Sequence, residues 1–325
     1  MLTLPDIKAK QILFIQSEHG AKNRLFFKNE NIVFEKNGEI INQASCHKIL
    51  AVFIIGDFSF TSTLVRECRK RAVSLFFLNR NFGVYGYLSA KADGNYLLRS
   101  AQYSLSSNKE LFVAKNLVKN KIQNQINLLN SKSGEFIVGI KEADKIFESI
   151  ELAEGDKELL GLEGNFTKTF FKEYFREINW WRRMPRVKPD VQNFLLDMGY
   201  TYMFNFVDAL LLLFGFDTYK GCYHKLFFQR KSLSCDIIEP FRCIIEKQLL
   251  KSYNLKQVNE KDFFIEQGRY VLSYEQSQKY AKIFMEAIMD NKEEIYLYIQ
   301  KFYRFIMDDK KNKFPEFDII KKEIK

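Results

Sequence analysis

The apolar pattern of this chain changes period once, near Tyr96, and that switch demands two differently built parts. Before it, apolar residues come in short runs or alternate with polar ones. Residues 11–15, 24–28 and 31–35 read as strands separated by polar and glycine turns. Lys36-Asn37-Gly38-Glu39 carries the Asn-Gly pair of a two-residue hairpin, in which both central residues need positive φ. Residues 51–55 form a continuous apolar run closed by Gly56-Asp57, as in a buried strand. Residues 61–71 have helical spacing, with Leu64, Val65 and Cys68 on one side and Arg66, Arg69 and Lys70 towards the other. Strands over 73–78 and 84–88 are expected to flank the turn Asn79-Arg80-Asn81-Phe82-Gly83.

After the switch the pattern is that of long helices. Val113, Leu117, Ile122, Ile126 and Leu129 repeat along residues 111–129, with Lys115, Lys119 and Lys121 between them. Residues 167–181 are aromatic-rich, residues 190–214 are strongly apolar, and 239–252 and 273–290 continue the helical theme. There is no repeat at solenoid periods. The expected fold class is α+β: a small β-rich N-terminal domain over residues 1–92, then a larger all-α C-terminal domain over 93–325. Lys310-Lys311-Asn312-Lys313 and Lys321-Lys322 are expected to form a basic, mobile tail.

A length of 325 residues suits two domains, and a hydrophobic content of 46% suits a folded chain. The net charge of +10 favours a polyanionic partner, a nucleic acid or an anionic membrane surface, although plain solubility charge explains it equally well. The apolar run over 209–216 falls far short of the roughly 20 residues of a membrane span. The start, Met1-Leu-Thr-Leu-Pro-Asp6, resembles no export signal. Five cysteines, odd in number and without a Cys-x-x-Cys pair, fit reduced thiols. A cytoplasmic protein with no membrane partner is expected.

Chemistry concentrates in residues 221–242. Gly221-Cys222-Tyr223-His224 sets one of three histidines a short step before Asp236 and Glu239, carboxylates spaced i and i+3. Imidazole plus carboxylate is a ligand set suited to a phosphoryl-transfer metal site. A structural reading stands beside it. Asp-x-x-Glu has the spacing of a capping box, with Asp236 at the N-cap, Glu239 reaching back and Pro240 near the helix start. Glu239 and Arg242 have the spacing of a surface ion pair. Further back, Gly161-Leu162-Glu163-Gly164 sets an acidic residue between glycines at the mouth of a helix running through Tyr174. Backbone and substrate can come close there, though a loop glutamate favoured by the helix dipole fits as well. A zinc site from Cys222, His224 and Cys235 is the weaker alternative, because the paired cysteine spacing is missing. Neither a phosphate-binding Gly-x-x-x-x-Gly-Lys loop nor a Gly-x-Gly-x-x-Gly turn after a strand is present.

Taken in order, several segments carry a resemblance. They are Gly161-x-Glu163-Gly164, Arg183-x-Pro185-x-x-x-Pro189-Asp190-x-x-Asn193, Gly199-Tyr200, Gly221-x-x-His224 and Asp236-x-x-Glu239-Pro240-Phe241-Arg242. Upstream, Phe53-Ile54-Ile55-Gly56, Thr61-x-Thr63-Leu64-Val65 and Arg99-x-x-Gln102-Tyr103 agree with them. Together they resemble the integrase subunit of the CRISPR spacer-acquisition machinery, a family that inserts foreign DNA into CRISPR arrays.

The resemblance implies Glu163, His224 and Glu239 as ligands for Mg²⁺ or Mn²⁺, with Glu239 where many relatives carry aspartate. Asp236 is then an auxiliary catalytic carboxylate. The implied reaction is attack of a 3′-hydroxyl on a phosphodiester, which inserts short DNA fragments. A general metal-dependent nuclease on branched or single-stranded DNA and a non-catalytic DNA-binding scaffold remain alternatives. The implied partners are double-stranded DNA (prespacer and CRISPR repeat), a second copy of the chain through the β-rich domain, and a small ferredoxin-like subunit. Trp180, Arg183, Arg186, Lys225, Arg230 and Lys231 are the expected DNA contacts, the cations on phosphates and the indole on a frayed base. For Trp180, a place in the core is the competing reading.

Overall fold

The computed structural model describes residues 10–18, 20–79, 84–88, 94–133, 139–180, 182–185, 187–225 and 228–320. It contains two compact units, Met1–Gln102 with Asn205–Asp217, and Tyr103–Phe204 with Thr218–Lys325.

Two four-stranded sheets organise the first unit. In one, β1 (Gln11–Gln16), β5 (Ile49–Ile55), β7 (Ser74–Leu78) and β8 (Val84–Leu88) lie in that order. The first three are parallel, and β8 runs antiparallel to β7. All of β5 is buried, as its unbroken apolar run requires of a central strand. The other sheet has the order β4 (Glu39–Ser45), β3 (Asn31–Lys36), β2 (Asn23–Lys28) and β6 (Ser59–Phe60). Asn37 and Gly38 turn β3 into β4 with φ of 52° and 90°, the positive values that Asn-Gly predicts. Helix α1 (Ser62–Lys70), capped by the Thr61 hydroxyl accepting from Leu64 N, buries Leu64 and Cys68 against Leu25, Val52, Ile54 and Leu75. The turn expected over 79–83 lies largely outside the described residues. Helix α2 (Tyr96–Tyr103) follows.

Helix α3 (Ser107–Ser133) is the longest element of the second unit and packs against α4 (Ile140–Leu152) and α5 (Asp156–Tyr174). Next come α6 (Val191–Phe214), whose C-terminal part belongs to the first unit, and α7 (Ser232–Ile238). A 3-10 turn (Glu239–Phe241) joins α7 to α8 (Arg242–Asn254), and α3 packs against this turn and α8. A hairpin, β9 (Phe263–Glu266) and β10 (Arg269–Leu272), precedes α9 (Tyr274–Asp290) and α10 (Lys292–Met307). A β-rich N-terminal region followed by a mostly helical one is the architecture that the change of period requires. No described helix is long and apolar enough to cross a membrane.

The expected mobile tail is instead fastened down as far as Ile320. Asn120 Nδ2 donates to Phe317 O (2.7 Å), while Phe317 N donates to Asn120 Oδ1 (2.9 Å). One turn on, Asn124 Nδ2 donates to Phe317 O (3.0 Å) and its Oδ1 accepts from Ile319 N (2.9 Å). Two buried amides on α3 thus take the place of a neighbouring strand for this segment. The Phe317 ring sits edge-on to Phe241, 5.0 Å between centroids. The basic pair Lys321-Lys322 lies outside the described residues.

Candidate catalytic site

Every residue of the candidate site belongs to the second unit. Glu163 does not stand at a helix mouth. Helix α5 starts at Asp156, so Glu163 lies in its interior, and Gly161 and Gly164 are ordinary helical positions with open space where a Cβ would be. Packing of α5 against α3 outweighs the weak helix propensity of the two glycines.

The capping box expected around Asp236 is also absent. Helix α7 begins at Ser232, with Lys231 at its N-cap position, and Asp236 lies inside it. Pro240 then interrupts the helix, since it lacks an N–H and its ring crowds the carbonyl four residues back. The interruption is the 3-10 turn that presents Glu239. Glu239 is only 4% exposed and Arg242 27%, so their pair is a half-buried one rather than the surface pair its spacing suggested.

Asp236, with no exposed surface, anchors the loop that carries the histidine. Its Oδ2 accepts from Cys222 N (2.6 Å) and Tyr223 N (3.0 Å), and its Oδ1 from His224 N (2.8 Å). His224 Nδ1 also lies 2.8 Å from Oδ1. A carboxylate can only accept, so Nδ1 carries the proton and Nε2 keeps the free lone pair. This contact orients the ring as a carboxylate orients a metal-binding histidine. Close packing demands a glycine at 221, where a Cβ would stand 2.7 Å from Asp236 Oδ2 and 2.8 Å from the Ser232 carbonyl carbon. Gly221→Ala is expected to destabilise the protein by about 1–3 kcal/mol, measured by urea unfolding, because the Ser232 backbone and an Asp236 carboxylate held by backbone N–H groups are in the way.

The two glutamates meet on an ammonium. Lys121 of α3 donates from Nζ to Glu163 Oε1 and to Glu239 Oε2, the second contact at 2.7 Å. Arg242 Nε shares Glu239 Oε2 at 3.0 Å. The Tyr223 hydroxyl donates to the other Glu163 oxygen at 2.6 Å, and the Tyr223 ring lies edge-on to His224 at 5.0 Å. Burial pushes the Glu239 carboxyl up, but Arg242 and Lys121 outweigh it and hold the group down at about 2. Burial likewise works against the Lys121 ammonium, and the Glu239 and Glu163 carboxylates overcome it, raising Lys121 above its ordinary value. The cluster is charged and close to neutral overall.

Among the described residues, no group of three His, Cys, Asp or Glu side chains is arranged to hold a metal ion. Two of the three expected ligands do converge, and the group they hold is a cation. Carboxylate oxygens already gathered on a positive charge, with an oriented imidazole next in sequence to the tyrosine that bonds Glu163, are chemically suited to Mg²⁺ or Mn²⁺. The zinc alternative finds no support, since among the described residues Cys222, His224 and Cys235 form no metal-holding group.

The expected DNA contacts divide. Trp180 is a core residue, 5% exposed, wedged edge-on against Phe171 and Phe175, with its Nε1 donating to Asp190 (3.2 Å). Its faces are not open to a base. Arg183 points inward too, donating to Asn193 Oδ1 (2.9 Å) and to Asp197. The Tyr200 ring lies near Arg183 (5.6 Å) and Arg242 (4.6 Å), which fixes the place of both guanidiniums. Lys225 is exposed and pairs with Asp156 (2.9 Å). Arg230 and Lys231 are half-buried just before α7. Arg186 lies outside the described residues. Lys121 and Tyr223 are the site residues that the motifs did not single out, and Arg242 stood in the last motif only as a surface partner of Glu239. Lys121 left a trace nonetheless: it falls four residues after Leu117, where the helical period calls for an apolar side chain.

Nearly the whole chain matches a known fold. A Cas1 protein from Thermotoga maritima superposes with a TM-score of 0.75, covering 94% of this chain and 100% of that one at 19% identity. A casposase bound to its integration product gives 0.76, with 95% of both chains covered at 18% identity. In sequence, a CRISPR-associated endonuclease Cas1 from Thermodesulfovibrio yellowstonii is 24% identical over 295 residues, 86% of this chain and 93% of the relative. Residues 18–286 match the family model for CRISPR associated protein Cas1. The chain belongs to the Cas1 family.

Proposed function

We propose that this chain is a divalent-metal-dependent DNA integrase and endonuclease, inserting short foreign DNA fragments into a CRISPR array. The observation that carries the reading is the convergence of Glu163 and Glu239, from separate helices, on one cationic position beside an oriented His224 in a chain of the Cas1 family. The endonuclease names of its relatives and the integration product in the casposase structure support it.

Glu163, Glu239 and His224 Nε2 are the groups that would hold the metal. Bound there, Mg²⁺ or Mn²⁺ would supply Lewis-acid stabilisation of charge on the phosphodiester under attack. The remaining work falls to the chain itself. Asp236 fixes the imidazole tautomer. Arg242, partly exposed and stacked on Tyr200, offers a fixed guanidinium to a phosphate oxygen. The net charge of +10 draws a duplex to the surface. A homodimer and a small ferredoxin-like partner subunit belong to this reading through the sequence resemblance.

Incubating the protein with a 3′-ended fragment and a repeat-containing duplex, with and without chelator, tests it. New covalent junctions that need Mg²⁺ or Mn²⁺ are expected. Shortened strands without junctions would point to a general nuclease, and unchanged DNA that is bound equally well in chelator would point to a scaffold.

A further inference from the structure

Lys121 has the least ordinary surroundings in the site. Its side chain is 8% exposed, and its ammonium contacts carboxylates from α5 and from the 3-10 turn. Glu239 would not be left without a cation if Lys121 were absent, because Arg242 Nε bonds the same Oε2 and rests on the Tyr200 ring. The particular contribution of Lys121 is to tie Glu163 to Glu239. Both glutamates are among the groups a metal would need, and an ammonium and a divalent ion cannot occupy one carboxylate pair together without strong like-charge repulsion.

We propose that Lys121 is a positioning residue, the resident cation of the Glu163–Glu239 pair in the DNA-free protein, and that a divalent metal binds by displacing it. The inference rests on the metal-dependent reading above. Lys121 keeps the two carboxylates together when no metal is present, where bare they would repel each other and the helices that carry them. The same contact weakens metal uptake by the free protein, since the incoming ion must break two charge-assisted hydrogen bonds.

Mn²⁺ titration of the full-length, DNA-free protein, read by loss of the free-ion paramagnetic resonance signal, separates this role from a merely structural one. Lys121→Met and Lys121→Gln are expected to bind Mn²⁺ roughly tenfold more tightly than wild type, about 1.4 kcal/mol. Lys121→Arg, which keeps the charge, should stay near wild type. Thermal melting supplies the second readout. In chelator the uncharged variants should melt below wild type, and Mn²⁺ should raise their midpoints by more than it raises that of wild type.

A structural lysine predicts the opposite, a looser site that binds Mn²⁺ less well, and that result overturns the proposal. So do uncharged variants that stay unfolded in millimolar Mn²⁺, because the ion is meant to replace the ammonium. If all four proteins bind Mn²⁺ alike, the role of Lys121 fails and the metal site stands. If all fold and none binds Mn²⁺, the metal site fails as well.

Discussion

Glu163→Gln is expected to reduce strand joining by roughly a thousandfold or more with a smaller fall in thermal midpoint than Glu239→Gln. Glutamine has the same shape, its amide oxygen can still accept from the Tyr223 hydroxyl, and Lys121 keeps its bond to Glu239, although the amide NH₂ then faces the Lys121 ammonium. What disappears is one negative charge at the place where a metal would bind. The several kcal/mol of charge stabilisation that such an ion supplies correspond to about three powers of ten in rate. Glu239→Gln should lose as much activity but also stability, because this carboxylate is nearly buried beneath both Lys121 and Arg242. Removing one member of a buried ion pair costs about 3–5 kcal/mol. Joining assays and calorimetry on the same preparations would show the difference. Undiminished joining by a folded Glu163→Gln protein would remove Glu163 from the catalytic site.

Asp236→Ala is expected to bring a stability loss as large as that of Glu239→Gln. One buried carboxylate takes hydrogen bonds from three successive backbone N–H groups and an imidazole. Deleting it strands all four donors, at about 1–3 kcal/mol for each one left unsatisfied. Partial relaxation of the loop brings the expected total to roughly 3–5 kcal/mol in urea unfolding. Hydrogen exchange gives a local readout: the amides of Cys222, Tyr223 and His224 should lose their protection before the helices do. Asp236→Asn keeps one accepting oxygen but turns an NH₂ group towards N–H donors, so an intermediate loss is expected. If the alanine variant keeps wild-type stability and amide protection, Asp236 does not anchor the loop.

Local rules were legible where the local signal had one meaning. Asn37-Gly38 specified its turn, and the apolar run in β5 specified a buried strand. Helices α3, α6, α8 and α9 followed from their apolar spacing, whereas α4, α7 and α10 were not read from it. Where one pattern serves two structures, the residues misled. The i, i+3 spacing of a capping box is also that of any two residues on one helix face, so Asp236 looked like a cap while lying inside α7. Glycines flanking Glu163 looked like a loop, yet packing against α3 keeps them helical. Charge and aromaticity do not reveal the side of the surface on which a residue lies. Arg183 satisfies Asn193 and Asp197, Trp180 fills the space beside Phe175, and only the fold shows this. Lys121 could be read only as an anomaly, since its partners lie 42 and 118 residues away along the chain.

The amide clamp between α3 and Phe317 spans a sequence separation of 197 residues. Contacts this distant carry a large loop-closure entropy and form late, after local helices and hairpins are in place. A nascent chain that has not yet released residues 315–320 from the ribosome already contains every candidate catalytic side chain. It lacks the segment that grips Asn120 and Asn124 on either side of Lys121 and seats Phe317 against the turn that presents Glu239. The support for the turn that presents Glu239 would then be completed only after this segment has emerged, however early the helices of the site form.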